Sequence, residues 1–116
     1  MSIKFDFLCK DRVLATVVTD YQVKTVSVQN FTDDPIERPF GIRENPTIAD
    51  LDSFFESRCF PESRYNKKAV LKAIGVDYYD PYLIVQKTHG RQLDDYMWIK
   101  FEGEELDYER DIKLRD

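Results

Sequence analysis

Glycine, cysteine and histidine are scarce in this chain, and each shortage removes a class of chemistry. The four glycines (Gly41, Gly75, Gly90 and Gly103) stand alone. No loop therefore has the clustered glycines with which a P-loop or a dinucleotide fold cradles phosphate. The two cysteines, Cys9 and Cys59, lie fifty positions apart, and the single histidine is His89. These three lack the close ligand pairs of a structural zinc site. "DDPIE" and "EGEEL" lack the ligand and glycine spacing of an EF-hand loop. "HGRQLDD" has the wrong spacing for a kinase catalytic loop, and no GxSxG occurs. No catalytic activity, metal or cofactor is expected. No apolar run approaches the roughly 20 residues of a membrane span. "MSIKFDF" has neither the basic nor the apolar region of a secretory signal. The expectation is a cytoplasmic protein with reduced thiols and no membrane partner.

What is present is apolar enough to fold: 42% of residues are hydrophobic and 14% aromatic, too many for a disordered chain. The length suits one domain, residues 1–116. The net charge of −5 is unevenly spread. Residues 58–74 carry five basic side chains and one acidic, whereas residues 94–116 carry four basic and nine acidic. The total disfavours nucleic acid as a partner and leaves a local basic face as the exception.

The spacing predicts an α+β fold. Ile3, Phe5 and Phe7 alternate with polar residues, "VLATVVT" is β-branched, and "QVKTVSVQNF" continues in kind. Residues 1–31 thus read as an antiparallel three-stranded meander, with "CKDR" as a turn. Residues 32–46 hold three prolines and form a loop across the sheet edge, with Ile36 and Phe40 tucked under. Three central helices fill residues 47–90. The first is opened by a Thr47–Asp50 capping box and runs to about Arg58, burying Ile48, Leu51, Phe54 and Phe55. The second runs from near Pro61 to Gly75 and buries Tyr65, Ala69, Val70 or Leu71, and Ile74. The third is capped by Asp80, starts at Pro81 and is closed by Gly90, with Tyr82, Leu83 and Ile84 inward. Residues 94–116 form a returning C-terminal strand, "YMWIKF", and an acidic tail with at most a short helix from about Leu106.

Four features compete for a functional role. Cys59 lies between Arg58 and Phe60, with Arg64 nearby, and cations favour a thiolate. A nucleophile still requires a base, and a buried apolar cysteine at a helix joint is the simpler reading. His89 precedes Gly90 at a helix end, with Asp94 and Asp95 close enough in sequence to hydrogen-bond it. Arg64, Lys67, Lys68 and Lys72 form a basic face on the second helix, suited to an acidic partner or, as a helix-turn-helix, to DNA. Glu102, Glu104, Glu105, Asp107, Glu109 and Asp111 form an acidic row, able to present a phosphate-like surface to a basic groove.

Arg58, Pro61, Arg64, Leu71, Gly75, Asp80–Pro81, Gly90 and Asp94–Asp95 before Trp98 form a pattern covering about the C-terminal half. In it the chain resembles small uncharacterised Firmicute and prophage proteins, and also short proteins found beside kinase toxins of the high-persistence (HipA) type. The resemblance implies no catalytic residue. In physical terms, Arg58 and Arg64 suit a clamp on Asp94 and Asp95, with Trp98 and Tyr96 as apolar area beneath. The function expected is a non-enzymatic protein-binding module of a bacterium or mobile element, such as an anti-CRISPR-like inhibitor of a nuclease. The alternatives are an accessory protein of a HipA-type toxin–antitoxin kinase and a DNA-binding regulator using residues 62–74.

Overall fold

Ile3, Phe5 and Phe7 alternate with polar residues, and in the computed structural model, which describes residues 2–92 and 95–113, they lie on one side of a sheet. Strands β1 (Ser2–Cys9), β2 (Arg12–Asp20), β3 (Thr25–Asn30) and β4 (Met97–Phe101) form a four-stranded antiparallel sheet in the order β3-β2-β1-β4. The fold is α+β, with helices α1 (Ile48–Ser57), α2 (Lys67–Ile74) and α3 (Pro81–Thr88).

Details of the sheet differ from the expected plan. The first turn is tighter than "CKDR": β1 and β2 pair as far as Cys9 and Arg12, leaving Lys10 and Asp11, with Lys10 at φ 54°. A bulge between Phe7 and Leu8 shifts the register so that Phe7 faces Ala15 and Leu8 faces Val13. A bulge re-aims side chains, and here it lets one hairpin serve two cores. On the helical side, Phe5, Phe7, Leu14, Val17 and Ile99 pack against Leu51, Phe54, Phe55 and Val85. On the opposite side, Leu8 and Trp98 are covered by Tyr108 and Ile112 of a π-helical turn, Tyr108–Ile112. The buried Trp98 indole N–H donates to the Lys10 carbonyl at 2.6 Å.

The expected capping box opens α1: the Asp50 N–H donates to Thr47 Oγ1 at 3.2 Å and the Thr47 N–H to Asp50 Oδ2 at 2.8 Å. Asp80 caps α3 by accepting from the Tyr82 and Leu83 amides. Three expectations need correction. Helix α2 begins at Lys67, and Pro61 to Asn66 form successive turns instead. Tyr65 is 98% exposed, so no apolar side chain between Pro61 and Asn66 is fully buried to stabilise an earlier helical turn. In the 32–46 loop, Phe40 packs on Phe54 but Ile36 is 88% exposed. There Thr32 donates to Glu37 and accepts from Arg38, and the short 3-10 turn Pro35–Glu37 leaves Ile36 in solvent. In α3 the buried pair is Ile84 and Val85, while Tyr82 and Leu83 are half-buried.

Candidate functional site

Arg58 ends α1 with its guanidinium turned into the protein, 8% exposed. It donates to both oxygens of Asp95 at 2.9 and 3.0 Å, to the Gly90 carbonyl at 3.0 Å and to the Met97 carbonyl at 3.0 Å. Gly90, at φ 66°, allows this approach: a Cβ there would meet Ile99 Cδ1 at 3.1 Å and Arg58 Cβ at 3.2 Å. Burial pushes the Asp95 carboxyl up. The Arg58 hydrogen bonds, the Met97 amide and the Arg58 charge together outweigh that and hold it below its ordinary value.

The structure therefore joins Arg58 to Asp95 and leaves the other expected clamp members elsewhere. Arg64 is exposed, donates to Asn66 Oδ1 at 2.7 Å and lies over the Phe60 ring. Asp94 lies outside the described residues. Trp98 belongs to the opposite face of the sheet, because successive strand residues alternate sides. The ring near the Arg58 guanidinium is Phe7, 5.7 Å away. Tyr96 is exposed, under the Lys10 ammonium at 4.7 Å.

The Cys59 thiol is half-buried and donates to the Phe55 carbonyl at 3.2 Å. Burial first, then Glu56 and Asp80, push its pKa up to about 12, against a smaller opposing pull from Arg58. The thiol is thus protonated near neutral pH, the reverse of an activated cysteine. His89 takes the left-handed conformation at the end of α3, with φ 58°, and its Nε2 lies 2.9 Å from Glu104 Oε2. Asp95, its expected neighbour, is bound to Arg58 instead. Glu104 also accepts the Phe101 N–H at 2.7 Å, so it is a fold residue as much as a surface acid. The i to i+3 spacing of Phe101 and Glu104 around Gly103 carries a local turn signal, but nothing in the sequence marks His89 as the partner.

Of the acidic row, Glu102, Glu105, Asp107, Glu109 and Asp111 are exposed, whereas Glu104 is half-buried. The segment beneath them is tied down. Tyr108 and Ile112 are buried, and the Tyr108 N–H donates to Asp11 Oδ1 at 3.1 Å. Asp107 caps the π-helical turn through the Glu109 amide, Glu109 pairs with Lys113, and Asp111 pairs with Arg110. Arg110 and the Asp107 amide hold the Asp111 carboxyl below its ordinary value. On the basic side, Arg64, Lys68 and Lys72 are exposed and Lys67 is half-buried. Helix α2 packs on α3. Among the described residues, no group of three or more His, Cys, Asp or Glu side chains is placed to hold a metal, and no helix is long and apolar enough to cross a membrane. The chain matches no protein-family model, no curated protein and no solved structure.

Proposed function

We propose that this chain is a non-enzymatic protein-binding module of a bacterium or mobile element that blocks a basic, nucleic-acid-binding groove on a partner enzyme. The observation that carries this reading is the anchored acidic segment. Tyr108 and Ile112 fix a short turn onto Leu8 and Trp98, so Glu102, Glu105, Glu109 and Asp111 stand on a scaffold rather than on a loose tail. A fixed row of carboxylates loses less entropy on binding than a mobile one and complements a groove built for phosphates. The side chains best suited to chemistry are engaged elsewhere, Cys59 as a protonated thiol and His89 with Glu104. The resemblance to prophage proteins agrees with an anti-defence role.

The test is an affinity capture from bacterial lysate with the wild type and with Glu102→Lys/Glu105→Lys/Glu109→Lys, followed by titration of the captured protein. Glu104 is left intact because it holds the fold. A nucleic-acid enzyme bound by the wild type and released by the variant supports the inhibitor. A kinase bound equally by both favours an accessory protein of a HipA-type toxin system. Exposed Arg64, Lys68 and Lys72, with the exposed Tyr65 in the same segment, favour a third reading, a DNA-binding regulator. Salt-dependent DNA binding that is lost in Lys68→Glu/Lys72→Glu would replace the inhibitor with that reading.

A further inference from the structure

Asp52 and Glu56 stand one turn apart on α1, and Asp80 caps α3. Together they border an open groove of about 490 Å³ whose other walls include Tyr21, Tyr79 and Tyr82. The volume lies within the range of about 300–1,000 Å³ typical of ligand pockets. No lysine or arginine lines it. Asp80 is engaged by two backbone amides and Asp52 by the Tyr21 hydroxyl at 3.3 Å. Among the described residues none of the three carboxylates forms an ion pair. Their negative potential reaches the walls: beyond burial, the largest cause, Asp52 and Asp80 push the Tyr21 hydroxyl up, and Glu56 does the same to Tyr79. Among the described residues no group of three or more His, Cys, Asp or Glu side chains is placed to hold a metal ion, and tyrosine walls suit a planar or alkyl-borne cation.

We propose that this groove receives an arginine side chain of a partner protein. A guanidinium stacks on a tyrosine face while its fork of N–H groups reaches carboxylates, which a compact, strongly hydrated ammonium does less well. The chain contains the same arrangement internally, where Arg58 lies 5.7 Å from the Phe7 ring and holds Asp95 with both arms. In the groove the carboxylates and rings are present and the cation is to come from outside. Two carboxylates at i and i+4 on one helix offer acceptors to the guanidinium fork, and the half-buried Tyr21 and Tyr82 rings, with centroids 6.5 Å apart, border the same groove. The site is independent of the acidic row at residues 102–111 and stands or falls separately.

The test is an NMR titration of the isotope-labelled full chain with the peptide acetyl-Gly-Arg-Arg-Gly-amide, alongside its lysine counterpart. The expected result is saturable shifts of the Tyr21, Glu56 and Tyr82 resonances, with the arginine peptide binding severalfold more tightly than the lysine one. Asp52→Asn/Glu56→Gln should weaken the arginine peptide about tenfold. Glu105→Gln/Glu109→Gln should leave it unchanged. Glu56→Gln alone, at an exposed side chain, keeps the test decisive if the double variant fails to fold. Shifts confined to residues 102–111, an unchanged affinity in Glu56→Gln, or no saturable binding would each overturn the proposal.

Discussion

The two edges of the sheet are treated in opposite ways. Along β4 the outward backbone donors are all engaged: the Met97 N–H by Asp95 Oδ1 at 3.0 Å, the Ile99 N–H by the His89 carbonyl at 2.7 Å and the Phe101 N–H by Glu104. Along β3, no side chain or loop carbonyl takes up a backbone N–H among the described residues, and "TVSVQN" has no charged side chain. A long open edge invites pairing with another strand, and proteins commonly blunt it with charge, bulges or cover. Here the cover is all on the β4 side. Asp95 and Glu104 through their carboxylates and His89 through its carbonyl, with Arg58 behind Asp95, are the groups that close that edge. Their clustering supplies acceptors to a strand edge whose backbone donors would otherwise go unpaired.

Removing the centre of the β4 edge should have the largest effect. Arg58→Ala leaves Asp95 and the Gly90 and Met97 carbonyls without their donor, and should cost about 3 kcal/mol by urea denaturation. That is the lower end for breaking a buried pair, because Asp95 is 30% exposed. The same contact has a pH signature. Asp95 titrates below its ordinary value when folded, so its contribution is complete above the unfolded carboxyl pKa of about 3.9 and is lost as pH falls through the folded value. The stability gap between wild type and Asp95→Asn should be flat from pH 7 to about 5 and narrow below about 4. A gap that widens in acid would contradict this assignment.

Glu104→Ala tests the far end of the same edge. It removes the acceptor of the Phe101 N–H and the partner of His89, for an expected loss of about 1–2 kcal/mol. Hydrogen exchange should quicken at Phe101 while the amides of β1 remain protected. Equal protection at Phe101 in both proteins would show that the turn, and not Glu104, secures that donor.

The smallest effect is expected on β3. Ser27→Lys adds a charge to an exposed position of the open edge and should change stability by less than about 0.5 kcal/mol. Its consequence should appear in association instead. If the wild type self-associates at high concentration, the lysine should suppress it, as read by sedimentation velocity. A loss of stability comparable to that of Glu104→Ala would mean that β3 is engaged after all, and the contrast between the edges would fail.

Much of the frame was legible locally. Alternation marked β1 and β4, β-branched composition marked β2, and Thr47–Asp50, Asp80–Pro81 and Gly75 marked helix ends, because period, propensity and capping act over a few neighbouring residues. The start of α2 was misjudged because Pro61 satisfies the local rule for a first turn, while the burial needed to extend the helix is absent around Tyr65. The Arg58 contact was half visible, since arginine and aspartate types suggest a pair. Which arginine turns inward depends on where α1 meets β4, thirty-seven positions away. The groove between α1 and α3 was not visible at all. Asp52, Glu56 and Asp80 are ordinary surface acids in the sequence, and only the approach of Tyr21 from the β2–β3 turn makes a cavity of them.

By itself, then, the sequence determined the α+β class, the positions of most strands and caps, and the separation of a basic middle from an acidic end. Each of these rests on period, capping or composition among neighbouring residues. Tertiary structure decided which polar side chains are spent on the fold and which remain exposed. The reason is that a buried donor or acceptor must find its mate wherever the packing puts one. For Arg58, His89 and Glu104 that mate lies across the molecule, whereas exposed Glu56 has no hydrogen-bond or ion-pair partner for its side chain among the described residues.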